Sequence, residues 1–224
     1  MEAVIEAALP DLKVVSRYGV GVDNIDVAFA TEKGIPVAYV PDYCMVDVAE
    51  HAVSLLLTLA RKVALYDRLI RKGTWDIQTG PPLRRLSEQT LGLVGFGRNA
   101  RQVAIRAKGF GLRVISFDPI LTPEMAEEAE IDSVSLDDLL ATSDYISIHC
   151  PSIDATRGMI NAETLGKMKP TAYLINTSRG DIVNEAELAD ALEAGEIAGA
   201  ALDVRSQEPP EAGDRLIQME QVIH

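Results

Sequence analysis

Between residues 95 and 118 the chain sets two glycines, a small residue and an acid at the spacing that a bound dinucleotide requires. Gly95-Phe96-Gly97-Arg98-Asn99-Ala100 reads as a G-x-G-x-x-G/A turn. Gly95 permits a tight turn, Gly97 lets the backbone approach a pyrophosphate, and Ala100 is small enough for helix and strand to pack closely. The helix that follows offers free N–H groups and a positive dipole end to the phosphates. Asp118 comes 21 residues after Gly97, where it can accept hydrogen bonds from a ribose 2′-hydroxyl. Glycines also mark ordinary turns, so the string gains its meaning from context: apolar strand, glycine turn, helical pattern, second strand, acid.

A second set of chemistry-bearing residues follows later strand candidates. One strand ends at His149-Cys150-Pro151, the next at Asn176-Thr177-Ser178-Arg179-Gly180-Asp181, and a third at Asp203-Val204 with Glu208 just beyond. An arginine at a strand end, beside a bound nicotinamide, could grip a carboxylate and polarise the adjacent carbonyl. The plainer reading of Arg179 is a surface salt bridge. Glu208 alone reads as a solvated acid; near an acid–base histidine it could raise the imidazole pKa.

These residues need elements that end where they begin. The pattern predicts strands over 91–94 and 112–117 with a helix between them that stops at Gly109. Upstream it predicts a strand over 12–16, a glycine turn at Tyr18-Gly19-Val20-Gly21, a helix over 24–32 and a strand over 35–40. One long helix is expected over 48–72, capped by Asp47 with Glu50 completing a capping box. Its apolar residues cover more of its circumference than one core contact needs, which points to burial against a second domain or subunit. Residues 73–90 read as a connection, because Gly80-Pro81-Pro82 cannot continue a helix. Further on, Ser135 and Asn161 are expected to cap short helices, and Asn184 with Glu187 to form a second capping box. Strands over 145–149, 172–176, 199–204 and 221–224 complete the alternation. Strands regularly separated by helices imply a doubly wound parallel sheet of the Rossmann type, with ligands outside the carboxyl ends of its strands.

Composition narrows the function classes. With a formal net charge of −13, nucleic acid and anionic membrane surfaces are poor partners. No apolar run is long enough to span a bilayer and no secretory leader is visible. Cys44 and Cys150 are the only cysteines, which fits a reducing, cytoplasmic compartment better than a disulfide framework. No metal site is expected.

Taken together, these segments resemble the D-isomer-specific 2-hydroxyacid dehydrogenases. The resemblance rests on Arg17-Tyr18-Gly19-Val20-Gly21-Val22-Asp23-Asn24-Ile25-Asp26, Val48-Ala49-Glu50, residues 90–100, His149-Cys150-Pro151, residues 176–181 and Ala200-Ala201-Leu202-Asp203-Val204. Pro-Leu-Arg-Arg-Leu before the glycine turn looks closest to the branch of C-terminal-binding-protein corepressors and their bacterial relatives. The resemblance implies NAD as cofactor and a small 2-hydroxy or 2-keto acid as substrate. It implies that Arg179 binds substrate carboxylate and carbonyl and that Glu208 pairs with a catalytic histidine. Arg98 and Asn99 would contact the pyrophosphate and Asp118 the adenosine ribose, with Pro119 beside it. His149 belongs to the adenine-side motif, where Cys150 and Pro151 would line the pocket. Thr177, Ser178 and Asp203 would hold the nicotinamide end. Val20 and Gly21 would offer backbone N–H groups to the substrate carboxylate. It further implies a cofactor domain over 46–224, preceded by the tail of a flavodoxin-like substrate domain over 1–45, and a homodimer through helix 48–72 with Val53, Leu57 and Ala60 at the interface.

The acid–base histidine is the main departure. The family places it in a Pro-His pair just after its last cofactor-domain strand, and His224 comes too early, without the proline. His149 and His51 do not fit the role. The expectation is therefore a chain shortened at both ends and inactive by itself. The alternative is an NAD-sensing interaction module or a catalytically dead remnant.

Overall fold

The computed structural model describes residues 2–224. Two compact units divide the chain, one running to Val46 and the other spanning Asp47–His224. The first holds helices α1 (Glu2–Ala8) and α2 (Val27–Glu32) and strands β1 (Val15–Ser16) and β2 (Val37–Ala38), which pair in parallel. Asp26 caps α2 by accepting from Phe29 N. Ile5, Ala30 and Ile35 form its small core.

The second unit is a seven-stranded parallel sheet. Its strands are β3 (Thr90–Val94), β4 (Arg113–Phe117), β5 (Asp132–Ser133), β6 (Tyr145–Ile148), β7 (Tyr173–Asn176), β8 (Gly199–Leu202) and β9 (Val222–Ile223), in the order β5-β4-β3-β6-β7-β8-β9. The chain winds outward from β3 in one direction and then from β6 in the other. The crevice at this reversal is where such sheets bind ligands. Helices α3 (Met45–Arg61), α4 (Val63–Arg71), α5 (Arg98–Gly109), α6 (Pro123–Glu128), α7 (Leu136–Thr142), α8 (Ala162–Leu165), α9 (Glu185–Ala194) and α10 (Arg215–Gln218) accompany it.

Burial on both faces explains why the central strands read as near-continuous apolar runs. Leu91 and Leu93 of β3 join Leu55, Leu59, Val103 and Ala104 on one face. Val94 and the β6 residues Ile146 and Ile148 join Leu139, Leu165 and Leu188 on the other. Each such Leu or Ile side chain contributes about 1.5–3 kcal/mol when fully withdrawn from water.

The long helix departs from expectation. It is two helices, broken at Lys62, which adopts a left-handed conformation at φ 57, ψ 32. The first begins at Met45, so Asp47 lies in its opening turn instead of capping it. Val53 and Ala60, expected at a subunit interface, are buried in the chain's own core beside Leu56. The apolar residues left exposed on the second helix are Val63 and Ile70. Ser135 and Asn161 cap α7 and α8 as expected, but the box at Asn161 closes with Thr164. Asn184 accepts from Glu187 N at 3.3 Å, while the Glu187 carboxylate accepts from Ala162 N at 2.5 Å. The second capping box is therefore half made, because Glu187 serves the start of α8. Helix α6, with Thr122 as cap and Pro123 in its first turn, and strand β5 are additions to the expected elements.

Gly92 lets α7 and the residue that follows it pack closely on β3. A Cβ there would run into Ser143 Oγ and sit 2.7 Å from Leu139 Cδ2. Overpacking of this kind costs about 1–3 kcal/mol. Gly92→Ala is expected to lower the urea midpoint by a corresponding amount with an unchanged slope. An unchanged midpoint would show that α7 yields freely.

Candidate functional site

The glycine turn is built by close approach. Gly95 takes φ +94, and a Cβ on it would lie 2.8 Å from Cys150 N and 2.9 Å from His149 C. Its N–H donates to Phe117 O at 2.8 Å, which ties the turn to β4. Asp118 completes it: Oδ2 accepts from Phe96 N at 2.7 Å and Oδ1 from Ile120 N at 2.9 Å. A carboxylate has about four acceptor positions, so both oxygens retain capacity for ribose hydroxyls. Gly97 is the N-cap of α5, and a Cβ there would meet nothing within 4 Å, which leaves open space over the first turn of the helix. Arg98 is exposed on that turn and has no ion-pair partner among the described residues. Asn99 is half-buried beside it.

The loop after β7 is folded by Asn176, which is fully buried. Its Nδ2 donates to Arg179 O at 2.8 Å and its Oδ1 accepts from Ser178 N at 3.0 Å. Ser178 Oγ donates to Cys150 O at 2.5 Å and so joins this loop to the end of β6. Arg179 Nη1 donates to Ser178 O at 2.7 Å. Thr177 Oγ1 is buried with no hydrogen-bond partner, an orphan that a ligand amide or hydroxyl would satisfy. Gly180 is pressed so tightly on the β8 loop that a Cβ would run into the Arg205 carbonyl. Arg205 N donates to Glu208 Oε1 at 2.9 Å, and the buried Arg205 guanidinium binds Glu185 and Asp214. Arg179 and Glu208 thus belong to two loops in direct backbone contact. Val20 and Gly21 lie in the first unit, in a turn that Arg17 Nε closes on Gly21 O at 3.1 Å.

The three histidines are all engaged. His149 bonds Ser147 Oγ at 2.9 Å, and burial pushes its imidazole down to about 4. It is neutral at physiological pH and unsuited to proton transfer there. His224 bonds Leu216 O at 3.3 Å, so it is a strand-end residue. His51 Nε2 lies 3.1 Å from Asp203 Oδ1, a pairing across 152 residues that no local signal reveals. Burial raises the Cys150 thiol to about 11, which keeps it protonated beside Pro151.

Arrayed along one sheet edge are a glycine turn, an unpaired Arg98, an acid with spare acceptor capacity and an unsatisfied Thr177 hydroxyl. This donor set fits a dinucleotide. The depressed His149 pKa carries a stability consequence. A histidine neutral in the fold and near pKa 6.5 when unfolded stabilises fully above about 6.5, and that stability is lost as pH falls towards 4. Denaturation of wild type against His149→Gln should show a shallower loss for the variant in this window. Parallel curves would place the acid sensitivity elsewhere.

Known proteins are similar to this chain in sequence and in fold. The family model "D-isomer specific 2-hydroxyacid dehydrogenase, NAD binding domain" matches residues 53–224. The chain is 42% identical over 226 residues to a glyoxylate reductase of Korarchaeum cryptofilum, covering all of this chain and 68% of the relative. It is 44% identical over 219 residues to the chloroplastic D-3-phosphoglycerate dehydrogenase 2 of Arabidopsis thaliana, covering 98% of this chain but only 35% of that protein. The D-lactate dehydrogenase of Aquifex aeolicus, crystallised with NAD and lactic acid, superposes with a TM-score of 0.88 at 31% identity, over 98% of this chain and 70% of its own. With a family model spanning most of the chain and a glyoxylate reductase 42% identical over the whole of it, the chain belongs to the D-isomer-specific 2-hydroxyacid dehydrogenase family and carries its NAD-binding domain.

Proposed function

We propose that this chain holds NAD(H), in preference to NADP(H), for the interconversion of a D-2-hydroxy acid and its 2-keto acid. The observation that carries the reading is Asp118, fixed by two backbone N–H groups at the tip of the strand beside the glycine turn. A 2′-phosphate there would meet like charge, and Pro119 follows instead of an arginine. Arg113 stands at the start of β4 and pairs with Asp132, away from the ribose position. Arg98 and Asn99 meet the pyrophosphate, Cys150 and Pro151 flank the adenine, and Thr177, Ser178 and Asp203 orient the nicotinamide. When bound, the cofactor supplies or accepts the hydride.

Arg179 supplies charge and two donors to the acid's carboxylate and carbonyl, but it cannot release a proton near neutral pH. The first unit, which carries the Val20-Gly21 turn, serves as part of a substrate domain. Glu208 orients and tunes an imidazolium that none of the three engaged histidines supplies. The similar proteins bear names with different substrates, glyoxylate reductase and D-3-phosphoglycerate dehydrogenase among them. The proposal therefore stops at the class of 2-hydroxy and 2-keto acids. Two copies associate through the outward face of α4 and the segment behind it, where Val63, Ile70, Trp75 and Ile77 are exposed. The free thiols Cys44 and Cys150 favour the cytoplasm.

Calorimetric titration tests the cofactor assignment: NADH should bind at least tenfold more tightly than NADPH. Equal or tighter NADPH binding would overturn the role of Asp118. The same preparation should oxidise NADH negligibly with glyoxylate or pyruvate, since general acid–base catalysis contributes about 10² to 10⁴-fold. Substantial turnover would show that the acid–base group is misassigned, and its loss in His51→Gln would identify that group.

A further inference from the structure

Helix α3 is seated on the sheet by Ala52, Leu55, Leu56 and Leu59, all buried in the core. That seating fixes the backbone at the neighbouring position 51. His51 lies on the second turn of the helix, and its Nε2 stands 3.1 Å from Asp203 Oδ1, just past the end of β8. Asp203 is held in its turn. Its N–H donates to Asn176 O at 3.0 Å, which ties it to the end of β7. The next residue there is Thr177, whose buried Oγ1 has no partner. The carboxylate and the orphan hydroxyl thus stand at the ends of neighbouring parallel strands, on the cofactor edge.

Few other charges approach the imidazole. On its own helix, Asp47 lies one turn earlier, and Glu50 is engaged by Arg106 of α5 at 3.2 Å. From the sheet side Asp203 is the charged group at contact distance among the described residues. Arg179, in the loop after β7, directs Nη1 to Ser178 O, and Glu208 accepts from Arg205 N.

Histidine is the side chain whose charge changes between about pH 5 and 8. With the imidazole neutral, Asp203 presents an uncompensated negative charge. With it protonated, the pair sums to zero. Both side chains are half exposed, so water screens this difference in the free protein. A nicotinamide laid beside them displaces that water and strengthens every charge effect. The two redox states of the cofactor differ there by one charge. The oxidised ring is cationic and the reduced ring neutral, while the adenosine and pyrophosphate are the same in both. A carboxylate beside the ring therefore favours the oxidised form, and a cation that cancels the carboxylate removes the preference.

We propose that His51 is a specificity-determining residue whose protonation, acting through Asp203, sets the balance between NAD⁺ and NADH binding. The inference rests on the assignment of Asp203 to the nicotinamide end. At alkaline pH the lone carboxylate favours NAD⁺. As pH falls, protonated His51 neutralises Asp203 and the preference moves to NADH, the form that reduces a keto acid. By reciprocity, binding of NAD⁺ expels a proton from His51 and binding of NADH does not.

Calorimetric titration of the full chain with NAD⁺, NADH and ADP-ribose at about pH 6 and about pH 8 tests this. The ratio of the NAD⁺ Kd to the NADH Kd should be at least about fivefold higher at the acid pH. ADP-ribose lacks the ring, so its affinity should be the same at both, which reports an intact fold. In His51→Gln the ratio should no longer change with pH. In His51→Lys, which keeps its charge, the ratio should stay at the acid value throughout. If His51→Gln loses ADP-ribose affinity, His51→Asn takes its place. Titrations in two buffers of different ionisation enthalpy should show proton release with NAD⁺ and not with NADH. A wild-type ratio indifferent to pH, or a pH dependence that survives in His51→Gln, would overturn the proposal while leaving the cofactor assignment standing. Failure of all three ligands to bind would overturn the NAD(H) reading itself, and the proposal with it.

Discussion

Gly95 lies against the backbone of His149 and Cys150 with no room for a side chain between them. This contact sets the whole carboxyl edge of the sheet. It brings the ends of β3 and β6 together, backbone against backbone, where the winding reverses. At φ +94 the chain turns sharply enough to aim the first turn of α5 back over the strand ends. The open N–H groups of a 12-residue helix then face the crevice, with Gly97 leaving the approach clear. A larger residue at position 95 would separate the strands and turn the helix end away. Asp118 depends on the same contact, because the Phe96 N–H it accepts belongs to the turn.

The next pair of strands repeats the device. Gly180 presses on the Arg205 backbone, and Ser178 bonds Cys150 O, so the loops after β6, β7 and β8 are linked in series. Arg205 anchors the last of these by its ion pairs to Glu185 and Asp214. Buried ion pairs add little net stability, but they are costly to break from one side. They hold Glu208's turn in one place against Arg179's loop. The edge is thus a rigid row of main-chain contacts, on which a few polar side chains are free to meet a ligand.

Local features of this arrangement were legible in the sequence. Gly95, Gly97, Ala100 and Asp118 lie within one strand–helix–strand unit, and their spacing reports its geometry directly. Ser135 and Asn161 were readable as caps because capping spans three residues. What escaped was tertiary. Nothing in Arg61-Lys62-Val63 marks a helix end, since lysine is a good helix former; the break is visible only with Tyr173 beneath it. Glu187 matched a capping box by spacing, yet it serves a different helix. Val53 and Ala60 belonged to a broad apolar face, and the sheet claimed them before any partner could. The His51–Asp203 pair joins residues far apart in the chain and was beyond any motif.

The central claim is that one preformed edge, organised by the Gly95 contact, holds the dinucleotide. Hydrogen–deuterium exchange of the chain with and without NADH tests it most directly. Protection should appear at 95–100, 118–120, 149–152 and 176–180, and the amino-end segment 62–68 should be unchanged. Protection absent from the glycine turn, or confined to the amino ends of the strands, would contradict it.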